Sequence, residues 1–103
     1  MIEKHHTIIN LTNRLKVLFD FSTVEFVNYW DADLCTIGLR QNEQLIYINT
    51  FNYIEEAIPR FDYVLEKLGE PISEELNIIK ECSGIIESEL IFELTQILKL
   101  NLH

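Results

Sequence analysis

The chain has 103 residues and carries 8 Lys or Arg against 17 Asp or Glu, a net charge of −9 with histidines neutral. Nearly half the residues are hydrophobic and only five are Gly or Pro, which excludes a disordered or low-complexity chain and leaves length for one domain, residues 1–103. The charge argues against nucleic acid or an anionic membrane as partner, because both require clustered Lys and Arg.

The first section is slightly basic: residues 1–20 hold three bases against two acids. Ile8, Leu11, Leu15 and Leu18 follow spacings of three, four and three, which predicts a helix with one apolar face. Thr7 or His6 begins it and Asp20 lies near its end. Val24, Phe26 and Asn28 then alternate with Glu25, Val27 and Tyr29, the period-two pattern of a strand. Asp31-Ala32-Asp33 breaks that run, as Asp favours turns by bonding downstream backbone N–H groups. Leu34–Arg40 and Leu45–Phe51 predict two strands around the polar loop Gln41–Gln44, an antiparallel hairpin. Gly38 within the first of these suggests a bulge or a close backbone approach.

A short helical turn is expected over Tyr53 to Ile58, ended by Pro59, with a fourth strand at Phe61–Leu65. Gly69 and Pro71 mark a boundary. Ser73 is a good helix N-cap, with Glu74 and Glu75 in the first turn. Leu76, Ile79, Cys82 and Ile86 suggest a helical face that Ser83-Gly84 breaks or kinks. Ile86, Leu90, Leu94, Ile97 and Leu98 continue it, so the chain is expected to end in one kinked helix or two short ones. The order predicts an α+β fold: a small antiparallel β-meander of three or four strands, with an N-terminal helix and C-terminal helices packed on it. A mostly helical fold with one hairpin is the alternative.

Catalytic signatures are absent from the sequence. Three glycines, at 38, 69 and 84, cannot build a dinucleotide or phosphate-binding loop, and there is no G-x-S-x-G. No cofactor or metal is expected, since His5 and His6 are adjacent and cannot both face one ion. Cys35 and Cys82 are read as buried small hydrophobes of a reduced cytoplasm. The N-terminal residues carry charge where a signal peptide needs an apolar run, and no stretch is long and apolar enough for a membrane span. The expected location is therefore cytoplasmic. Asp31 and Asp33 are the one pair that could serve an enzyme as acid and base, against a simpler reading as a solvated turn.

The acidity concentrates late. Residues 21–50 hold one base against four acids, and residues 51–103 hold four against eleven. Two acidic faces follow. The first combines Asp31, Asp33, Glu55, Glu56, Asp62 and Glu66, with Trp30 or Tyr53 as aromatic anchor, since aromatics beside acids are common in protein-binding hot spots. The second comprises Glu87, Glu89 and Glu93, with Glu89 and Glu93 on one helical side.

The stretch Val24-Glu25-Phe26-Val27-Asn28-Tyr29-Trp30-Asp31-Ala32-Asp33-Leu34-Cys35-Thr36-Ile37-Gly38-Leu39, with Leu45–Tyr53 and Phe61–Glu66, resembles bacterial immunity proteins of contact-dependent growth inhibition and related polymorphic toxin systems. The resemblance covers residues 20–66. It implies a non-catalytic cytoplasmic protein that binds a cognate toxin domain and blocks it. Many such toxins are nucleases, whose clefts must be cationic to attract phosphate. An acidic inhibitor is steered to such a cleft. A regulatory or homo-oligomeric module, dimeric through a spare apolar helix face, is the alternative expectation.

Overall fold

The computed structural model describes residues 5–27, 34–67 and 78–102. The chain is α+β. Helix α1 (His6–Leu18) leads through the short strand β1 (Phe19–Asp20) into β2 (Glu25–Val27), β3 (Thr36–Gln41) and β4 (Gln44–Asn49). A 3₁₀ turn (Phe51–Tyr53) follows, then β5 (Arg60–Lys67), β6 (Ile78–Ile86), α2 (Glu87–Leu98) and β7 (Asn101–Leu102). Strands β2 to β6 form one antiparallel sheet in chain order, and β1 pairs with β7 in a separate ribbon.

Helix α1 forms where the apolar spacing predicts it. Ile8, Leu11 and Leu15 are buried, while Leu18 is 43% exposed and Phe19, the first residue past the helix, takes the core position instead. His5 caps the helix, its Nδ1 accepting from the Thr7 N–H at 3.3 Å. Thr7 Oγ1 and Thr50 Oγ1 lie 2.7 Å apart, which ties the start of α1 to the end of β4.

Strand pairing sorts the sheet into two faces, because directly opposed residues share a side. Phe26, Leu39, Ile46 and Leu65 lie in one row, and Ile37, Ile48, Tyr63 and Cys82 in the next. Both helices cover this face, and Leu90, Leu94 and Leu98 of α2 join Ile8, Leu11 and Leu15 of α1 in one core. The helix C-terminus is closed by the β3–β4 hairpin. Gln41 Nε2 donates to the Leu98 carbonyl at 2.9 Å and Gln44 Nε2 to the Ile97 carbonyl at 3.3 Å. Both satisfy carbonyls that have no partner within the helix. The hairpin itself turns on two residues, not four: Gln41 pairs with Gln44, and Asn42 takes φ 54°. Gly38 is buried in regular register with Val27 and Tyr47, so the bulge expected there is absent.

The largest correction concerns residues 78–86. They form strand β6, not a helix, and only one helix follows. The expected N-cap at Ser73 and the acids Glu74 and Glu75 lie outside the described residues. A bulge interrupts the strand. Phe61 pairs with Ile85 but Tyr63 with Cys82, so Ser83 and Gly84 together oppose Asp62. The extra residue carries the core face from Cys82 to Ile85, so Ile86, which the helical spacing joins to Cys82, pairs instead with Arg60 on the other side. A second irregularity between Leu65 and Glu66 displaces Ile79. The Ser83-Gly84 pair thus kinks a strand, with Gly84 at φ 66° in a region that favours glycine. The expected helical turn at Tyr53–Ile58 is also shorter and earlier, ending as a 3₁₀ turn at Tyr53.

Candidate functional site

Neither helix covers the second face of the sheet. Its rows include Arg40, Leu45 and Glu66, then Gly38, Tyr47, Val64 and Glu81, then Thr36, Asn49 and Asp62. Asp62 and Glu66 lie four residues apart on β5, about 13 Å along an extended strand, and are half-buried. Tyr47 donates its hydroxyl to Glu66 Oε2 at 2.5 Å. This bond fixes the orientation of the carboxylate.

Asp62 is the structural centre of this face. Its Oδ1 accepts the Tyr53 hydroxyl at 2.7 Å and the Gly84 N–H at 2.9 Å. Arg60 Nη1 donates to the Gly84 carbonyl at 2.8 Å. One carboxylate therefore locks the β6 bulge and holds the loop after β4 against the sheet. The Tyr53 hydroxyl is pushed above its ordinary pKa, first by its hydrogen bond to Asp62, then by desolvation and by the nearby charges of Asp62 and Glu56. Glu55 and Glu56 follow on the same loop and are exposed. Of the first predicted face, Tyr53, Glu56 and Asp62 are thus brought together, with Glu55 adjoining and Glu66 further along β5. Trp30, Asp31 and Asp33 lie outside the described residues.

The rival face is differently built. Glu87, in the first turn of α2, is gripped by Arg14 of α1, whose Nε donates to both carboxylate oxygens at 3.0 and 2.8 Å and whose Nη2 also donates to Oε1. Glu93 pairs with Lys80 Nζ at 3.0 Å and approaches Cys82 Sγ at 4.0 Å. Glu89 is exposed and, with Ser88, Phe92 and Glu93, lines a shallow depression of about 250 Å³. Two of the three acids on that helix are neutralised within the protein, and the face has lost most of its charge.

Tyr63 is a separate feature. It is fully buried in the core, and its hydroxyl has no hydrogen-bond partner. Burial raises its pKa, with Cys82 and Glu93 adding to the effect. Cys35 is buried, Cys82 is half-buried, and neither forms a disulfide.

The structure also exposes large apolar residues around the loop after β4. Phe51 is 64% exposed, Ile58 63% and Ile54 38%. Ile54 and Ile58 have the spacing of one helical turn, but the turn stops at Tyr53 and leaves both outside. Among the described residues there is no group of three or more His, Cys, Asp or Glu side chains able to hold a metal ion. Among the same residues no helix is long and apolar enough to cross a membrane.

No known protein family, curated protein or solved structure shows a significant match to this chain.

Proposed function

We propose that this protein is a cytoplasmic immunity protein that binds a cognate toxin domain and neutralises it without catalysis. The toxin domain it fits is one with a cationic cleft, as a nuclease has. The observation that carries this reading is the distribution of charge. Glu55, Glu56, Asp62 and Glu66 lie on the sheet face opposite α1 and α2 and on its adjoining loop, with Tyr53 and Tyr47 among them. Glu87 and Glu93 are already paired with Arg14 and Lys80. The first face is therefore better suited to attract a basic protein, and its aromatic and carboxylate mixture is that of an interface centre with a steering rim.

The test is co-expression with the toxin domain encoded immediately upstream. A complex of nanomolar affinity is expected, with association slowed by salt. Glu55→Lys combined with Glu66→Lys should slow association by about tenfold or more, because steering depends on the field of these charges. Absence of a complex, or a gene neighbourhood of metabolic enzymes only, would sink the immunity reading.

A homodimeric module is favoured by one observation. Val17 is 74% exposed and, with Asn13, Arg14 and Leu18, lines a shallow apolar groove on α1. Sedimentation of the isolated protein distinguishes the two readings: a dimer that Val17→Lys dissociates supports the module.

A further inference from the structure

The loop that carries Tyr53 also walls a cavity. An open cavity of about 620 Å³ is lined by the exposed apolar Leu34, Phe51 and Ile54, by buried Cys35, by half-buried His5 and Asn49, and by Asn52. It abuts the start of β3 and the end of β4, where Asn49 pairs with Asp62, so it is continuous with the acidic face. We propose that this cavity is the anchor point of the interface. It receives an apolar side chain from a basic protein partner while Glu55 and Glu56, which follow Ile54 directly, engage cations beside that side chain. This rests on the reading of the protein as an inhibitory binding protein.

Three observations support the assignment. The walls are large apolar side chains left partly in water, Leu34 at 39%, Ile54 at 38% and Phe51 at 64%, which is costly unless something covers them. The loop is held before any partner arrives. Thr50 N–H donates to the Cys35 carbonyl at 3.0 Å, Phe51 N–H to Asn49 Oδ1 at 2.9 Å, and Tyr53 N–H to the Thr50 carbonyl at 2.9 Å. The Tyr53 hydroxyl adds its bond to Asp62. A loop ordered in advance loses little entropy on binding.

Two of the polar groups in the lining are also engaged within the protein rather than aimed at a small polar ligand. Asn49 spends its amide on Thr36 Oγ1 at 2.6 Å and on Phe51 N–H. His5 Nδ1 is used by Thr7. A small-molecule site normally aims convergent polar groups at its ligand, whereas the Asn49 amide and His5 Nδ1 are used within the protein. Charge complementarity then selects the partner. The carboxylates Glu55 and Glu56 are exposed, and the neighbouring cation Arg60 is engaged with the Gly84 carbonyl.

The test places a photo-crosslinking amino acid at Phe51 of the full chain in its native host, with Val17 and Phe92 as comparison positions. The expected result is one basic protein, identified by mass spectrometry, joined from position 51 and from neither comparison position. With that purified partner, Phe51→Ala and Ile54→Ala should each weaken binding by about ten- to a hundredfold, mainly through faster dissociation. Both residues are exposed, and an unchanged thermal midpoint verifies that the variants fold. Glu55→Lys with Glu56→Lys should flatten the salt dependence of association. Crosslinking to a second copy of this chain, to an acidic protein, to nothing, or equally from Val17 or Phe92 would overturn the assignment. So would unchanged affinity in Phe51→Ala and Ile54→Ala. A basic partner that is not a toxin would keep this anchor and remove the immunity reading. A toxin joined only from Phe92 would do the reverse.

Discussion

Gly84 offers the most direct check on the bulge that shapes both the edge strand and the acidic face. Its φ of 66° is available to glycine without steric penalty, whereas an alanine there pushes Cβ toward the neighbouring carbonyl. That penalty is about 1–2 kcal/mol. Space is not the problem: a Cβ at this position would meet the Tyr53 hydroxyl at 3.4 Å, an ordinary contact. The Gly84 N–H bond to Asp62 would also remain, since it belongs to the backbone. The cost of Gly84→Ala is therefore about 1–2 kcal/mol of backbone strain alone. A chain of this length unfolds with an entropy of about 0.2 kcal/mol per degree, so the melting point should fall by about 5–9 °C. Urea titration should show a lower midpoint with an unchanged slope, because the surface exposed on unfolding is the same. Gly84→Asn should cost less than Gly84→Ala, as Asn tolerates the left-handed region. An alanine variant as stable as the parent, or an asparagine variant clearly worse than alanine, would refute the strained bulge.

Three further outcomes follow from the same geometry. Tyr63→Phe removes a buried hydroxyl that has no partner, so stability should hold or rise by up to about 1–2 kcal/mol in urea titration; a loss above about 1 kcal/mol would mean that the hydroxyl makes a real bond. Arg14→Met should cost at most about 1 kcal/mol and less in high salt, because the Arg14 side chain is 44% exposed and Glu87 keeps the favourable N-terminus of α2; a loss above about 2 kcal/mol contradicts this. Alkaline pH should destabilise the fold. Tyr53 and Tyr63 both have raised pKa values, so their contribution is complete below the ordinary tyrosine value of about 10 and is lost as pH rises from there through the folded-state values. Urea midpoints measured between about pH 9 and 11.5 should fall, and Tyr53→Phe with Tyr63→Phe should flatten the decline; a parent midpoint that rises over that range would be the wrong sign.

The acidic face shows why a charge count alone does not locate an interface. Glu87, Glu89 and Glu93 looked as available as Glu55, Glu56, Asp62 and Glu66. Arg14 is 73 residues from Glu87 and Lys80 is 13 from Glu93, and only the packing of α1 and β6 against α2 brings these pairs together. A cation within bonding distance cancels a carboxylate's field at long range, so the helix no longer presents what its sequence suggests.

Much of the fold was legible in short-range pattern. Ile8, Leu11 and Leu15 repeat at the helical period, and that repeat alone places α1 against a core. The alternation in Arg60–Lys67 places β5, because a strand buried on one face must alternate. Leu90, Leu94 and Leu98 likewise mark the helix that closes the chain. In each case the burying surface reads one regular period, and the sequence carries that period locally. Tertiary structure decided what departs from a period. The extra residue at Ser83-Gly84 is held by Asp62, across the strand pair, which accepts the Gly84 N–H, and no local period in β6 announces it. Phe51 and Ile54 stand in water because the loop is pinned at Thr50 and Tyr53 before a helical turn can bury them. A local pattern reports the average environment of a regular element; a bulge, a pinned loop and a distant ion pair depend on which strands and helices meet, and only the folded chain settles that.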